Sequence, residues 1–256
     1  MHLLCRSHEP IAAEVILTLR EGMVRPMSAL LTALSSLPGF ERELRMLPHL
    51  VRRGSVCVDV GASLGAYAIP MALLAGASGA VVAFEPRTDA AKRLRRIAAL
   101  LGLAALRVES AALGATAHTT GLVVPRRRRA VPGRSYLTAG AVCDGLDDGL
   151  SETAPRQVRV QTLDEVRSEM RRPIDFVKCD VEGFELDVFQ GSRRVLAEDR
   201  PVVLCELEER HASRYGRTVA DVIDLFHELG YVVSRSTSDA RNVLFVPAER
   251  PAVAWR

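Results

Sequence analysis

A turn that is rich in glycine and carries one acidic and one hydroxyl side chain is the first segment of the sequence that could bind a ligand. Asp59, Gly61, Ser63 and Gly65 follow a short apolar run at two-residue intervals. Glycines between a strand and a helix allow a ligand to approach the backbone beside the helix N-terminus. The spacing differs from the Gly-x-Gly-x-x-Gly that positions a pyrophosphate. We therefore expect either a ligand without phosphate or a tight turn that binds nothing.

A second acidic residue ends the next apolar run. Glu85, followed by Pro86, comes directly after residues 80–84. A carboxylate at the end of a strand can accept hydrogen bonds from both hydroxyls of a ribose. The carboxylate of Asp59 suits the ammonium group of an amino acid, and S-adenosylmethionine combines such an ammonium with a ribose and no phosphate. The two acidic residues predict this cofactor, and a surface glutamate before a proline is the alternative interpretation of Glu85.

Two further acidic motifs follow later apolar runs. Asp180 and Glu182 lie in the segment Lys-Cys-Asp-Val-Glu-Gly, and Glu206 follows residues 201–205. Open α/β folds bind ligands at the carboxyl ends of their strands. If the two runs are neighbouring strands, Asp180 and Glu206 face each other across the site; the alternative is that they accept hydrogen bonds from loop amides. His211 is interpreted as an isolated surface histidine, with a role as a catalytic base as the alternative.

The elements that must position these residues alternate between strands and helices. Apolar runs predict strands at residues 56–60, 80–84, 106–108, 121–124, 174–179, 201–205, 231–233 and 243–246. Helical periodicity and a capping box predict helices at residues 67–74, 89–101, from 162 onward, 185–196 and 219–229. The alternation favours a parallel sheet with helices on both faces, closed by an antiparallel hairpin. Residues 1–50 are predicted to form a helical extension to a domain of residues 51–256.

Composition and charge exclude several classes of protein. Of the 256 residues, 48% are hydrophobic and 25% charged, with 34 basic and 31 acidic side chains, which is unlike a disordered or fibrous protein. No apolar run approaches the roughly 20 residues that a membrane helix needs, and no secretory signal is evident, so we expect a cytoplasmic protein. Scattered basic residues and few aromatic ones argue against nucleic-acid binding. The five cysteines form no metal-binding pattern.

In order and spacing, several segments resemble the FkbM family of S-adenosylmethionine-dependent methyltransferases. They are the glycine turn 59–65, Ala-Phe-Glu-Pro at 83–86, Thr-Leu-Asp at 162–164, Lys-Cys-Asp-Val-Glu-Gly at 178–183, Glu206 and residues 242–247. The resemblance implies an α/β fold of the class I methyltransferase (Rossmann-like) type, with a seven-stranded sheet whose last strand is antiparallel. It also implies O-methylation of a hydroxyl group on a sugar, a glycolipid or a secondary metabolite.

The resemblance further implies roles for individual residues. The cofactor-binding set is Asp59, Gly61, Ser63, Gly65, Glu85, Pro86, Glu109, Ser110 and Asp180. Within it, Glu109 and Ser110 correspond to the adenine edge and Asp180 to the end where the methyl group is transferred. Ser63 stands where the family more often has asparagine, and its hydroxyl keeps a hydrogen-bonding group at that position.

Methyl transfer from a sulfonium is an in-line displacement, so alignment of the acceptor oxygen with the methyl group supplies much of the rate. An alcohol is a weak nucleophile, and a base or a metal ion is expected to help remove its proton. The candidate catalytic residues are Asp180, Glu206 and Glu182. They act as a general base, or Asp180 and Glu206 act as oxygen ligands of a Mg²⁺-type ion.

Other interpretations stay open at this point. They include methylation of a nitrogen or a carboxyl group, and cofactor binding without catalysis. A small-molecule acceptor is expected, because no Asn/Asp-Pro-Pro-aromatic segment typical of nucleic-acid amino methylation is present. Four consecutive arginines, residues 126–129, form either a solvated loop or a flap that recognises an acidic substrate. The N-terminal helices cap the sheet, cover the substrate pocket or form the face of a homodimer.

Overall fold

The computed structural model of the chain describes residues 42–124, 135–142, 154–235 and 241–250. Within these ranges the strands are β1 (Val56–Val60), β2 (Ala80–Phe84), β3 (Leu106–Glu109), β4 (Ala112–Leu113), β5 (His118–Val123), β6 (Tyr136–Leu137), β7 (Arg156–Gln161), β8 (Phe176–Cys179), β9 (Val202–Glu206), β10 (Tyr231–Arg235) and β11 (Asn242–Pro247). The arginines 126–129 lie outside the described residues.

Seven of these strands form the main sheet, in the order β10-β11-β9-β8-β1-β2-β3. The pairs from β9 to β3 are parallel, and β11 is antiparallel to both β9 and β10. The order reverses at β1, so the carboxyl ends of β1, β2 and β8 meet at the point where such sheets bind their ligands. The predicted seven-stranded α/β sheet with an antiparallel last strand is confirmed.

The helices are α1 (Leu47–Leu50), α2 (Ala68–Ala75), α3 (Thr88–Leu100), α4 (Leu163–Ser168), α5 (Glu185–Gln190), α6 (Arg193–Glu198), α7 (Glu209–Ala212) and α8 (Val219–Glu228), with 3₁₀ turns at Arg42–Met46 and Ser213–Tyr215. The predicted capping box is present at the start of α4, where Thr162 and Glu165 each accept a hydrogen bond from the other's backbone amide. A second box, Thr218 with Asp221, starts α8.

The single helix predicted over residues 185–196 is wrong, because α5 and α6 are separate. A side chain at Gly191 would place its Cβ 2.0 Å from the carbonyl oxygen of Gly114, so another segment of backbone crosses the chain there. Beside it, the Ser192 hydroxyl donates a hydrogen bond to the carbonyl of Val188. The apolar periodicity continues through this break, which hides it in the sequence.

A second sheet, in the order β4-β7-β5-β6, was not predicted. The strand expected at residues 121–124 is β5, and it pairs with β7 and β6 rather than with the main sheet. The alternation of exposed residues with the buried Val158 and Val160 in β7 is the signal that could have revealed a half-buried strand. This sheet forms one wall of the candidate site.

Two apolar clusters fill the faces of the main sheet. One joins the second sheet, α5 and α8, where the rings of Phe226 and Phe245 stack with centroids 3.8 Å apart. The other joins α2 and α3 with Leu44 and Leu47 from the predicted N-terminal extension. Residues 1–41 lie outside the description, so the boundary at residue 50 stays a prediction. In the part of the chain that is described, no helix is long and apolar enough to span a membrane.

Candidate active site

A cavity of about 200 Å³ lies at the carboxyl ends of β1, β2 and β8. Residues from the glycine turn, from the end of β2, from the turn after β8 and from the second sheet line it: Val60, Gly61, Ser63, Phe84, Glu85, Pro86, Arg87, Ala112, Leu113, Leu122, Ser135, Tyr136, Leu137, Asp180, Val181, Glu182 and Phe184. It therefore contains both the predicted ribose acceptor and two of the three predicted catalytic carboxylates.

Glu85 faces this cavity directly after β2 and is only 3% exposed. One carboxylate oxygen, Oε2, accepts a hydrogen bond from the Ser63 amide at 2.8 Å. The other, Oε1, accepts from the amide of Arg87 at 2.8 Å and from its Nε at 3.1 Å. The Arg87 guanidinium also donates to the Ser63 hydroxyl. These hydrogen bonds fix the position of the Glu85 carboxylate. Arg87 also lines the cavity, and the sequence analysis missed it.

The backbone amides of the glycine turn are used inside the protein. Those of Gly61 and Ala62 both donate to the carbonyl of Phe84, that of Ser63 donates to Glu85, and that of Gly65 donates to the carbonyl of Ala62. A phosphate-binding loop instead points its amides at the ligand. Because four of the five amides between residues 61 and 65 already have acceptors, this turn suits a nucleoside without phosphate better than a dinucleotide.

The two glycines of the turn are required by the protein itself. A Cβ at Gly61, whose φ is +84°, would lie 1.9 Å from the carbonyl oxygen of Asp180. A Cβ at Gly65, with φ +90°, would lie 2.4 Å from a methyl carbon of Leu94 in α3. The close approach that we attributed to a ligand is thus made by other parts of the chain, a distinction that spacing alone does not contain.

The turn after β8 packs against α7. Gly183 has no room for a side chain, since a Cβ there would lie 2.1 Å from the carbonyl oxygen of His211. Glu182 has a left-handed backbone, with φ +59°, and its Oε2 lies 3.0 Å from Nδ1 of His211. His211 is buried, with 6% of its surface exposed, so its interpretation as an isolated surface histidine is wrong. Its burial and pairing depend on a contact across 29 positions of sequence that no local pattern reveals.

A buried carboxylate holds this turn together. Oε1 of Glu185 accepts hydrogen bonds from the amides of Val181 and Gly183, at 3.2 and 3.1 Å. Burial raises the pKa of Glu185 to about 7, from an ordinary value of 4.5, and this effect exceeds the opposing effect of the amide donors. The side chain therefore changes charge near neutral pH while it supports the loop that carries Asp180 and Glu182.

We expect Glu185 to make the protein less stable as the pH rises from about 4.5 to about 7. Over that range the folded state keeps a proton that the unfolded chain has already released, so the free energy of unfolding falls, by about 3 kcal/mol in total. Glu185→Gln keeps an acceptor for both amides and removes the titration. Urea unfolding at pH 5, 6, 7 and 8 measures the effect; parallel profiles for the variant and the wild type would contradict it.

The second sheet closes the cavity from the opposite side. The Tyr215 hydroxyl accepts a hydrogen bond from the amide of Leu137 and donates one to its carbonyl, at 3.1 and 3.0 Å. Burial raises the pKa of the Tyr215 phenol, so it keeps the proton that it donates. The guanidinium of Arg214 lies 4.4 Å from the ring centroid of Tyr136. The segment that carries β6 is thus fixed to the same loop region that positions Glu182.

Several predicted site residues do not line this cavity. Asp59 is buried within β1, where its partner in the register is Lys178 of β8. Glu109 forms an ion pair with Arg107 at 2.7 Å, and the hydroxyl of Ser110 accepts a hydrogen bond from Arg95. Gly65 packs on α3, as described above, and Glu206 lies 3.5 Å from Arg241. Asp180, Glu182, Gly61, Ser63, Glu85 and Pro86 do line the cavity.

The predicted pairing of Asp180 with Glu206 as ligands of a magnesium ion finds no support. Among the described residues, no group of three or more histidine, cysteine, aspartate or glutamate side chains is placed to hold a metal ion. Glu206 is directed into an ion pair with Arg241. We therefore do not assign a metal to the site.

Known proteins with similar folds were compared with the chain. It is 16% identical to a crystal structure of methyltransferase FkbM from Methylobacillus flagellatus, with a TM-score of 0.48 over 86% of this chain and 58% of that one. It is 13% identical to a SAM-dependent O-methyltransferase from Thermotoga maritima (TM-score 0.43, 89% and 66% of the chains) and to Aeropyrum pernix fibrillarin with bound S-adenosyl-L-methionine (0.45, 86% and 73%). The chain thus spans under two thirds of the Methylobacillus protein.

A comparison with curated proteins finds no match. The sequence model of the methyltransferase FkbM domain matches residues 59–233, which is more than half of the chain and extends from the last residues of β1 into β10. Together with the strand order of the main sheet, this match shows that the chain belongs to the FkbM family of methyltransferases.

Proposed function

We propose that the protein is an S-adenosylmethionine-dependent O-methyltransferase that acts on a hydroxyl group of a small molecule. Family membership supports the methyltransferase activity. The observation that carries the choice of cofactor is the buried Glu85 at the carboxyl end of β2, facing the cavity beside a turn whose amides are already used. A carboxylate in this position can accept a ribose, and the turn offers no cradle for a phosphate.

Calorimetric titration with S-adenosylhomocysteine and, separately, NAD tests the cofactor. We expect micromolar binding of S-adenosylhomocysteine and none of NAD. Glu85→Gln, which keeps an acceptor for the Ser63 amide, is expected to weaken binding by roughly 10- to 100-fold, because hydrogen bonds to a charged acceptor contribute about 1.5–3 kcal/mol.

The control for this experiment is Glu228→Gln, which changes an acid that pairs with Arg193 outside the cavity. It is expected to bind S-adenosylhomocysteine as the wild type does. Binding of NAD, or equal losses in the two variants, would contradict the assignment of Glu85 as the ribose acceptor.

Glu182 is the base that we propose for the acceptor hydroxyl. It lines the cavity, and the imidazole of His211, 3.0 Å away, fixes the direction of its carboxylate. A base oriented by a third group is a common arrangement at sites that activate a hydroxyl. Asp180, whose backbone carbonyl lies against Gly61, is assigned to the methyl-transfer end of the cofactor, and His211 is a positioning residue.

The acceptor class comes from the family resemblance: a sugar, a glycolipid or a secondary metabolite. The wall opposite the carboxylates, with Leu113, Leu122, Tyr136 and Leu137, supports an acceptor that has an apolar face beside its hydroxyl. A panel of alcohols, amines and carboxylic acids, assayed by release of S-adenosylhomocysteine, tests this class. Turnover confined to amines or acids would overturn O-methylation.

A cytoplasmic location and a homodimer stay predictions of the sequence.

A further inference from the structure

Arg87 occupies the acceptor that the cofactor is proposed to use. Its side chain is 14% exposed and that of Glu85 is 4% exposed, so the ion pair between them is largely shielded from water. The guanidinium is fixed at two points, by Nε on Glu85 and by a terminal nitrogen on the Ser63 hydroxyl at 2.9 Å. Arg87 also lines the cavity, so a ligand that reaches Glu85 meets this side chain.

The hydrogen bonds already on Glu85 leave too few acceptor positions for both hydroxyls of a ribose. An ionised carboxylate has about four lone-pair positions, two on each oxygen. On Glu85, Oε1 receives two donors from Arg87 and Oε2 receives one from Ser63. One position is left, whereas a ribose that binds through both hydroxyls needs two. Two of the three donors present are backbone amides, so the only donor that can leave without a change of the fold is Nε of Arg87.

We infer that Arg87 is a latch on the cofactor site, whose guanidinium must leave Glu85 before a ribose can bind through both hydroxyls. The inference rests on the proposed function. It assigns to Arg87 a role in selecting ligands: a ligand with one ribose hydroxyl can use the open position on Oε2, and a ligand with both hydroxyls must first displace the side chain. Affinity for the cofactor is therefore lower than the contacts of Glu85 alone would give.

The test is calorimetric titration of the full chain and its Arg87→Ala variant with S-adenosylhomocysteine and with its 2′-deoxy and 3′-deoxy analogues. We expect the variant to bind S-adenosylhomocysteine about tenfold more tightly, the effect of one charge-assisted hydrogen bond that no longer has to be broken. For the two deoxy analogues, the dissociation constant of the variant is expected to differ from that of the wild type by less than about threefold. S-adenosylhomocysteine has no net charge, so loss of a cation alone has little effect on its binding.

Arg193→Ala is the control. Arg193 pairs with the carboxylate of Glu228, as Arg87 pairs with that of Glu85, but outside the cavity. It is expected to leave all three affinities unchanged. Thermal unfolding identifies a variant that fails to fold, and Arg87→Gln, which keeps a neutral donor, is then used in its place with the same expectation of tighter binding.

The outcomes separate the latch from the proposed function. If the wild type binds S-adenosylhomocysteine and Arg87→Ala and Arg87→Gln bind it equally well or more weakly, the latch is overturned and the cofactor assignment stands. If folded wild type and variants all fail to bind it, the proposed function is overturned, and the latch with it. A crystal structure of the S-adenosylhomocysteine complex gives a second readout: Nε of Arg87 still on Oε1 of Glu85 would also overturn the latch.

Discussion

Replacing Glu182 with glutamine is expected to lower kcat by about 100- to 10,000-fold, the usual range for loss of a general base. The amide keeps the size of the side chain and a contact for His211, so the affinity for S-adenosylhomocysteine should stay within about twofold of wild type. Steady-state kinetics with an acceptor from the screen, together with calorimetry, separates these two quantities. A loss of cofactor binding equal to the loss of kcat would contradict the role of a base.

Glu206→Gln is the matched control for this prediction. The sequence alone ranks Glu206 beside Asp180 as a catalytic candidate, whereas the structure places it against Arg241 and outside the cavity lining. We expect the kcat of this variant to stay within about threefold of wild type. The side chain lies outside the cavity lining, and its partly exposed ion pair with Arg241 contributes little free energy. A large fall in kcat for Glu206→Gln and none for Glu182→Gln would reverse the assignment.

His211 acts through Glu182 and needs a different test. Asparagine can present an amide N–H near the position of Nδ1, whereas alanine cannot. We therefore expect His211→Ala to lower kcat and His211→Asn to restore part of it, with KM for S-adenosylmethionine unchanged in both. If the two variants lose the same activity, His211 has only a packing role in α7.

The substitution Gly61→Ala is expected to cause a large loss of stability. A methyl group at this position meets the carbonyl oxygen of Asp180 at 1.9 Å, which is backbone and has no alternative rotamer to adopt. The left-handed φ adds strain to the clash. We expect a loss of about 3 kcal/mol or more in the free energy of unfolding, from the combined magnitudes of backbone strain and overpacking. Binding of S-adenosylhomocysteine should be lost as well, since the loops on both sides of the cavity are displaced.

Gly102→Ala is the control for Gly61→Ala. Gly102 also has a positive φ, of +62°, but a Cβ there meets no atom within 4 Å. Only the strain of the left-handed conformation applies, about 1 kcal/mol. Urea unfolding of both variants measures the difference. Similar losses would mean that the loop at residue 61 moves aside, and that the cavity is more deformable than this structure indicates.

The fold could be predicted largely from the sequence because its signals are local. Apolar runs separated by helical segments predict the strands of the main sheet and their parallel pairing, and the short connection from β10 to β11 predicts its antiparallel strand. The second sheet was missed because β4 and β6 are two residues long and have no periodicity to detect. The break between α5 and α6 depends on Gly114, a residue far away in the sequence, and no pattern within the helix contains it.

The candidate site was predictable to a smaller extent. Glu85, Asp180 and Glu182 follow the carboxyl ends of strands, where the fold places ligands, so these three residues reach the cavity. Arg87 and His211 carry no motif; their importance comes from hydrogen bonds to two of those carboxylates. Glu206 ends a strand too, yet it lies beside Arg241, which shows that position along a strand does not fix the direction of a side chain.

Two junctions of the site, Gly61 against Asp180 and Gly183 against His211, are contacts of main chain with main chain. Such junctions hold their shape whatever side chains surround them, and they leave little for substitution to adjust. The opposite wall is built from side chains of β5 and β6, which can change in volume without altering these main-chain junctions. Redesign of the protein for new acceptors should therefore begin at Leu122, Tyr136 and Leu137, where changes of volume alter one side of the cavity and leave the nucleoside half as it is.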